Sequence, residues 1–457
     1  MSHSTKQSVL FPELVSKRCE IAFDEPEVTS DGGALLVKAV DDQIGLTDCL
    51  AAALTDPREP GKIRHTLADM LRQRIFGICC GYGDANDAAR LNTDPMHKLL
   101  LDRDPVQGDD LASQPTLSRF ENQRRRVDLF RLSTALADTV IRAHRHRLRR
   151  RKCKLVTLDL DATDDPCHGS QQLSLFNGHY DSWCYLPLLA FVSFDNEKDQ
   201  HLLAAMLRPG TAHCKVGTVA ILKRLIPAIR AAFPGAVIRV RLDGGFCCPE
   251  VLDFLDVAGV QYLVAMAKNS VLEERVAGDV ALARECFAIA GQTYAVYGQQ
   301  RYAAGTWKSD RRVIHKAEVV ALPGREPLDN LRFVVTNLPQ TPSQVYDIYR
   351  QRGDSENRIK ELKGELDLGR LSCHGFWANQ LRLLLSAGAF VIMQMMRTRL
   401  AKLGLATSQV GTLRLRLLKI GGRITRSARR YVVHLAAAHP WVREWLRAAR
   451  TWGATWP

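Results

Sequence analysis

The spacing of apolar residues along the chain changes near residue 154. Before this point apolar side chains recur three and four positions apart, as at Leu67, Met70 and Leu71, which predicts a mainly helical region. After it, short apolar and β-branched runs predict strands at 155–161, 184–194, 201–207, 237–242 and 262–267, with helices at 216–233 and 249–255. This order of three strands, helix, strand, helix, strand is that of a ribonuclease-H-like α/β fold.

A second change of pattern follows the last of these strands. Residues 287–321 predict several strands with turns at Gly291, Gly298 and Gly305, and 331–336 form another apolar, core-like strand. One helix is predicted from Pro342 to about Leu366, followed by helical, basic sequence. We therefore predict five regions. The first is a helical region (1–150) whose short helices have polar, basic faces of the kind that bind DNA. It is followed by the first part of the core (151–286), a β-rich insertion (287–335), the second part of the core (336–400) and a basic helical C-terminal region (401–457).

Charge makes a polyanion the favoured partner. The 457 residues carry 63 Lys and Arg against 49 Asp and Glu, a formal net charge of +14. From Arg397 to the end there are thirteen Lys and Arg and one acid, Glu444. A basic surface of this kind is typical of proteins that bind nucleic acid, although a solvated polar face produces the same composition.

Cysteine usage and the first residues favour the cytoplasm. Met1–Arg18 contain no apolar stretch of the signal-peptide type, so the twelve cysteines are expected to stay reduced. Cys167, His168, His179 and Cys184 are the one arrangement we considered for zinc, but their spacing is not that of a common finger. The apolar run 383–396 is short for a bilayer span and predicts a core helix.

Four polar residues in the predicted 342–366 helix share one face. At about 100° per residue, Tyr349, Arg352, Glu356 and Lys363 fall within about 80° of arc, and Lys360 lies beside them. A single carboxylate inside a stripe of cations and a phenol suits an acid that binds metal next to a phosphate backbone.

Two aspartates stand where predicted parallel strands end. Asp161 ends the first strand and Asp243 the fourth, and carboxyl ends of neighbouring strands meet at one edge of a sheet. Asp159 lies on the same face as Asp161 and competes with it for the role of first acid. With Glu356 these acids form a candidate site for two Mg²⁺ ions, with Mn²⁺ as a substitute. Taken singly, each aspartate is also explained as a turn or helix cap.

These residues resemble a known family. The spacing Tyr349-x2-Arg352-x3-Glu356-x6-Lys363 is similar to the signature of the DDE transposases of bacterial insertion sequences, and the chain is identified as a member of the insertion-sequence group numbered thirteen-eighty. Further segments that resemble family motifs include Leu158-Asp159-x-Asp161-x-Thr163, His168-Gly169-x-Gln171, Arg241-x-Asp243-x-Gly245 and Asn379-Gln380-x-Arg382. In this family the first acid precedes x-Thr, which selects Asp161.

The resemblance implies cut-and-paste transposition of an insertion sequence. A homodimer would bind the double-stranded terminal inverted repeats, hydrolyse the ends and join the 3′-hydroxyls to target DNA. Catalysis and metal binding would rest on Asp161, Asp243 and Glu356. Phosphate contacts would come from Tyr349, Arg352, Lys360 and Lys363, and Trp307, or else Phe333, would stack on a base.

Two alternatives remain open from the sequence. One is a ribonuclease-H-like nuclease that cuts without joining, and the other is a catalytically silent DNA-binding repressor derived from a transposase. Because all three acids are present, the sequence does not favour the catalytically silent repressor. The predicted β-rich insertion argues against a nuclease that cuts without joining.

Overall fold

The structure is a computed structural model that describes residues 9–11, 16–195, 197–321 and 324–455. Its strands are β1 (Val9–Phe11), β2 (Cys19–Ile21), β3 (Val28–Thr29), β4 (Leu155–Ala162), β5 (Asp165–Pro166), β6 (Leu175–Asn177), β7 (Ser182–Tyr185), β8 (Leu188–Phe194), β9 (His201–Met206), β10 (Val237–Leu242), β11 (Gln261–Met266), β12 (Tyr294–Tyr302), β13 (Arg311–Val320), β14 (Leu328–Thr336), β15 (Gly422–Arg426) and β16 (Tyr431–Leu435).

The described residues also form sixteen α-helices. They are α1 (Leu35–Ile44), α2 (Leu46–Ala52), α3 (Leu67–Cys79), α4 (Ala85–Arg90), α5 (Pro95–Leu100), α6 (Gln114–Asn122), α7 (Arg126–Arg147), α8 (Thr218–Ala232), α9 (Pro249–Val257), α10 (Ser270–Arg275), α11 (Ala277–Ala290), α12 (Pro342–Arg350), α13 (Asp354–Glu365), α14 (Phe376–Arg399), α15 (Val410–Leu413) and α16 (Val442–Thr451). The chain forms two compact units, one from the described parts of 1–43, 58–119 and 395–457, the other from 44–57 and 120–394.

The second unit is built on an eight-stranded mixed sheet, which confirms the predicted α/β class. The sheet order is β12-β13-β14-β11-β10-β4-β8-β9. Strands β4, β10 and β11 run parallel, whereas β8 and β9 on one side and β14, β13 and β12 on the other are antiparallel to their neighbours. The strands predicted over 287–336 therefore extend this same sheet beyond β11.

The helix predicted over 342–366 is interrupted. A 3-10 turn at Gln351–Gly353 separates α12 from α13, so the stripe of polar residues does not lie on one continuous helix as we predicted. Gly353 is the weakest helix former in this stretch. The carbonyl of Ile348, which an unbroken α-helix would bond to the Arg352 N–H, accepts a hydrogen bond from the Arg241 side chain instead.

The first unit contains strands where the sequence predicted helix only. β15 and β16 form an antiparallel hairpin, and β3 pairs with the other edge of β15. The prediction of a helical C-terminal region was therefore wrong for residues 422–435. In β15 the buried Ile424 lies between the exposed Arg423 and the half-buried Thr425, a period of two that the high density of arginine obscured.

The long apolar helix that includes α14 is largely buried. Residues Phe376–Leu403 are long and apolar enough to cross a membrane by length and composition, but 89% of the relevant window lies inside the protein. Burial of this kind is expected of the core helix predicted at 383–396. The prediction about export rested partly on residues 1–8 and 12–15, which lie outside the described residues.

A small apolar cluster holds α12 against the sheet. It consists of Leu263 on β11, Ile314, Val334, Leu338, Val345 and Tyr346, with Ile348 and Tyr349 packed on its edge. Apolar side chains of this kind stabilise a fold by roughly 1.5–3 kcal/mol each when fully buried. The cluster thus fixes the start of the segment that leads to Glu356.

We expect Leu263→Ala to lower the free energy of unfolding by about 2–5 kcal/mol, because it leaves a cavity in this cluster. Chemical denaturation followed by circular dichroism measures the change. Val257, which is 88% exposed at the end of α9, provides the control, and Val257→Ala should change stability by less than about 0.5 kcal/mol. Equal effects in the two variants would contradict the packing described.

Candidate active site

Asp159 and Asp161 share a face of β4 but have different surroundings. Asp159 is fully buried, and both its carboxylate oxygens are bonded by Arg241, from Nε at 2.6 Å and Nη2 at 2.7 Å. Gln200 donates a third hydrogen bond at 2.8 Å. The oxygens of Asp159 are therefore engaged inside the protein, whereas Asp161 lies two residues further along, at the end of the strand.

Asp161 and Asp243 lie side by side. In the parallel pairing of β4 with β10, Arg241 is opposite Asp159 and Leu242 is opposite Leu160, so Asp243 follows next to Asp161 at the strand spacing of about 5 Å. Asp243 also accepts a hydrogen bond from the Gly245 N–H at 2.9 Å. Burial raises the pKa of Asp161 to about 6, with the Arg352 charge opposing the rise and the Asp243 charge adding to it.

Arg352 joins the first acid to the third. Its Nη1 lies 2.8 Å from Asp161 Oδ2, and its Nη2 lies 3.5 Å from Glu356 Oε1. The Ser355 hydroxyl donates to the Arg352 carbonyl at 2.8 Å and lies 3.5 Å from the same Asp161 oxygen. Burial works against the charged guanidinium, yet the neighbouring Asp161 raises the pKa of Arg352 above its ordinary value. The Glu356 side chain remains 55% exposed and so faces solvent.

The remaining stripe residues surround this group at different depths. Tyr349 is half-buried at the edge of the α12 cluster, and burial raises its pKa. Lys363 Nζ lies 2.9 Å from the carbonyl and 3.0 Å from Oδ1 of Asp164, three residues after the first acid. Lys360 is exposed on α13.

A family model supplies the class of protein. The model described as transposase DDE domain group 1 matches residues 11–451 of the chain. The chain belongs to this family of DDE transposases. In addition, the chain is similar to the cryo-EM structure of a piggyBac transposase synaptic complex with hairpin DNA, at 11% sequence identity and a TM-score of 0.41, over 90% of this chain and 81% of that one. No curated protein matches the chain significantly.

The two aromatic candidates of the transposase differ in accessibility. Trp307, in the loop between β12 and β13, is half-buried and contacts Tyr302 edge-on, with ring centroids 5.8 Å apart. The Arg311 guanidinium lies over the Trp307 ring at 5.2 Å. Phe333 is 1% exposed, so its ring is part of the core and is not available to stack on a base.

The transposase also contains a close group of potential metal-ligating side chains that the sequence did not indicate. Among the described residues, Asp31, Cys80 and His97 form the one group of three whose ligand atoms all lie within 4.8 Å of each other. Cys167, His168, His179 and Cys184 do not form such a group. Lys419 already lies 2.8 Å from Asp31, and His97 lies 3.0 Å from it, so the buried carboxylate is neutralised by protein groups. The three residues have no common spacing in sequence, which explains why no motif revealed them.

Arg241 and Ser355 are site residues that the sequence analysis missed. Arg241 lies two residues before Asp243, as Asp159 lies two residues before Asp161, and this repeated spacing was an available signal. Ser355 directly precedes Glu356, but its contact with Asp161 depends on how α13 approaches the sheet.

The raised pKa of Asp161 gives this transposase a pH-dependent stability. The folded-state value of about 6 exceeds the ordinary 3.8, so the contribution of this group is complete below 3.8 and lost as the pH rises through about 6. We expect Asp161→Asn, without added metal, to gain on the order of 2–3 kcal/mol relative to wild type between pH 4 and pH 8. Urea unfolding at both pH values measures this. The exposed Asp347→Asn is the control, and an identical response of both variants would contradict the assignment.

Proposed function

We propose that this transposase moves an insertion sequence by cut-and-paste transposition and belongs to the group numbered thirteen-eighty. It would bind the terminal inverted repeats, hydrolyse phosphodiesters at both ends and transfer the 3′-hydroxyls to target DNA. The observation that carries this proposal is the meeting of Asp161 and Asp243 at adjacent strand ends, with Arg352 linking Asp161 to Glu356. The Tyr349-Arg352-Glu356-Lys363 spacing supports the assignment to the group.

The strand order supports a ribonuclease-H-like core as the catalytic scaffold. In the order β9-β8-β4-β10-β11 the first strand is at the centre. On one side β8 is antiparallel to β4 and to β9, and on the other side β10 and β11 are parallel to β4. The sequence pattern predicted this fold from the order of the elements along the chain, without the sheet order. In the proposal β12, β13 and most of β14 are the β-rich insertion between the second and third acids, and the helical residues before 150 and the basic residues after 400 bind DNA.

The donor set suits a hard divalent cation. Carboxylate oxygens are the protein ligands that Mg²⁺ prefers, and two neighbouring carboxylates with a raised pKa at Asp161 form a place where added positive charge is stabilising. Asp161, Asp243 and Glu356 would hold two Mg²⁺, or Mn²⁺ in their place. When bound, such ions activate an attacking hydroxyl and stabilise the leaving oxygen of a phosphodiester.

Arg352 would change partners during the reaction. In the free protein its guanidinium offsets the negative charge of Asp161. A DNA phosphate next to the acids offers the same guanidinium a bidentate partner, and this contact would release Asp161 for metal binding. Lys363 and Tyr349 flank the acids on the same segment and would hold the DNA backbone. The exposed Lys360 would add a further phosphate contact, and the half-buried Trp307 would stack on a base.

The transposition reaction needs two DNA ends, so we propose a homodimer in the synaptic complex. The net charge of +14 supports binding of terminal-repeat and target DNA, largely through phosphates. Incubation of the protein with Mg²⁺ and the ends of its own element distinguishes the alternatives. Cleavage with joining is expected, cleavage without joining would indicate a nuclease, and binding without cleavage would indicate a repressor.

We expect Asp161→Asn, Asp243→Asn and Glu356→Gln each to reduce end cleavage at least about 10³-fold while leaving binding of the ends measurable, since each removes a metal ligand but no cation. Gel assays of cleavage and mobility measure both. Asp354, exposed two residues before Glu356, is a matched control, and Asp354→Asn should cleave normally. Normal cleavage by Asp161→Asn would refute the proposal for the first acid.

We expect Arg352→Ala to weaken binding to transposon ends and to lower the slope of log affinity against log salt by about 1, because one phosphate contact is lost. Titrations at several salt concentrations measure the slope. Arg350, on the exposed side of α12 near Asp347, carries the same charge two residues away. If Arg350→Ala had the same effect, the loss would reflect general charge and not a contact of Arg352.

A further inference from the structure

Two motif residues, Asp159 and Arg241, have no part in the function proposed so far. Each lies two residues before a candidate acid, on adjacent strands, and the strand register places them directly opposite each other. We infer that the Asp159–Arg241 ion pair is a positioning device that fixes the three carboxylates relative to one another. This inference rests on the proposed function and adds two positioning residues to it.

The Asp159–Arg241 ion pair is buried. The side chains of Arg241 and Asp159 are 5% and 0% exposed, and the two hydrogen bonds between them are 2.6 and 2.7 Å long. Residues i and i+2 lie on the same face of a strand. The pair therefore lies next to Asp161 and Asp243, on the face of the sheet that carries both acids. Any sliding of β4 against β10 would break two charge-assisted hydrogen bonds, so the pair locks the register of the first and second acids.

The third nitrogen of the Arg241 guanidinium, Nη1, contacts the segment that leads to Glu356. Arg241 Nη1 donates to the Ile348 carbonyl at 2.9 Å and lies 3.4 Å from Gln351 Oε1. These groups lie at the end of α12 and in the 3-10 turn, just before Arg352 and Glu356. One side chain thus connects the strands of Asp161 and Asp243 to the segment that brings in Glu356.

The planar fork of arginine is needed for this role. It supplies a pair of N–H groups to the Asp159 carboxylate and an N–H of Nη1 to the Ile348 carbonyl in fixed directions, which the point charge of lysine does not reproduce. Loss of the fork would therefore change the placement of the carboxylates, and with it metal affinity and cleavage rate. DNA binding by surface cations should be unaffected.

The experiment uses the full-length protein with Arg241→Lys and the isosteric Asp159→Asn. Binding of Mn²⁺ to the DNA-free protein is measured by electron paramagnetic resonance, and end affinity and the cleavage rate of bound ends are measured separately. Supporting groups of metal ligands typically change metal affinity 10–100-fold. We expect a loss of about tenfold or more in Mn²⁺ affinity and in cleavage rate, unchanged end affinity, and partial recovery of cleavage at high Mn²⁺ concentration.

Arg382 provides a matched control for a purely structural effect. Its guanidinium also bonds a fully buried acid, Glu121 at 2.7 Å, and a backbone carbonyl, that of Arg370 at 3.3 Å, on α14 of the same unit. Arg382→Lys should destabilise the protein to a similar degree but leave Mn²⁺ affinity and cleavage per folded molecule unchanged. All values are normalised to the folded fraction from an unfolding curve.

The outcomes separate this inference from the proposed function. Unchanged Mn²⁺ affinity in both Arg241→Lys and Asp159→Asn, or equal losses in Arg382→Lys, would overturn the positioning role. If the wild-type protein itself neither binds Mn²⁺ through Asp161 nor cleaves its ends, the proposed function fails instead.

Discussion

Asp161 and Asp243 end neighbouring parallel strands, and their carboxylates are brought together where one of them is almost completely buried. Two negative charges at strand spacing repel each other, and burial increases the cost of keeping both ionised. The surrounding structure is organised around this constraint. A cation has to be present, and in the free protein the guanidinium of Arg352 provides it.

Two arginines near the acids serve different purposes because their surroundings differ. Arg241 is enclosed, and its donors are bonded to Asp159 and to the backbone, so it is a fixed part of the scaffold. Arg352 bonds Asp161 closely but reaches Glu356 only at 3.5 Å, with Glu356 mostly exposed. Arg352, which would exchange a carboxylate for a phosphate in the proposed mechanism, therefore has the weaker and more accessible contacts of the two arginines. In the proposed mechanism, stable placement and exchange would therefore be functions of separate side chains.

The interruption between α12 and α13 has a structural role in this arrangement. The apolar cluster holds α12 on the sheet, and the Ile348 carbonyl is bonded by Arg241. The 3-10 turn then redirects the chain, so that Arg352 and Ser355 face Asp161 while Glu356 remains open to solvent. A continuous helix would share the same face pattern but would leave the Ile348 carbonyl bonded within the helix.

The sequence by itself determined the α/β class, most strand positions, and the acids at the ends of β4 and β10, because apolar periodicity records which face of an element is buried. It did not determine which distant groups of the chain these residues contact. The bonding of Asp159 to Arg241, the burial of Phe333, the hairpin within the basic C-terminal region and the break at Gln351–Gly353 were decided by the tertiary structure. The hairpin was missed because arginines obscured its period of two. The other three features depend on contacts between residues far apart in the chain, and a local pattern of polar and apolar residues carries no information about which distant group will fill a hydrogen bond or cover a side chain.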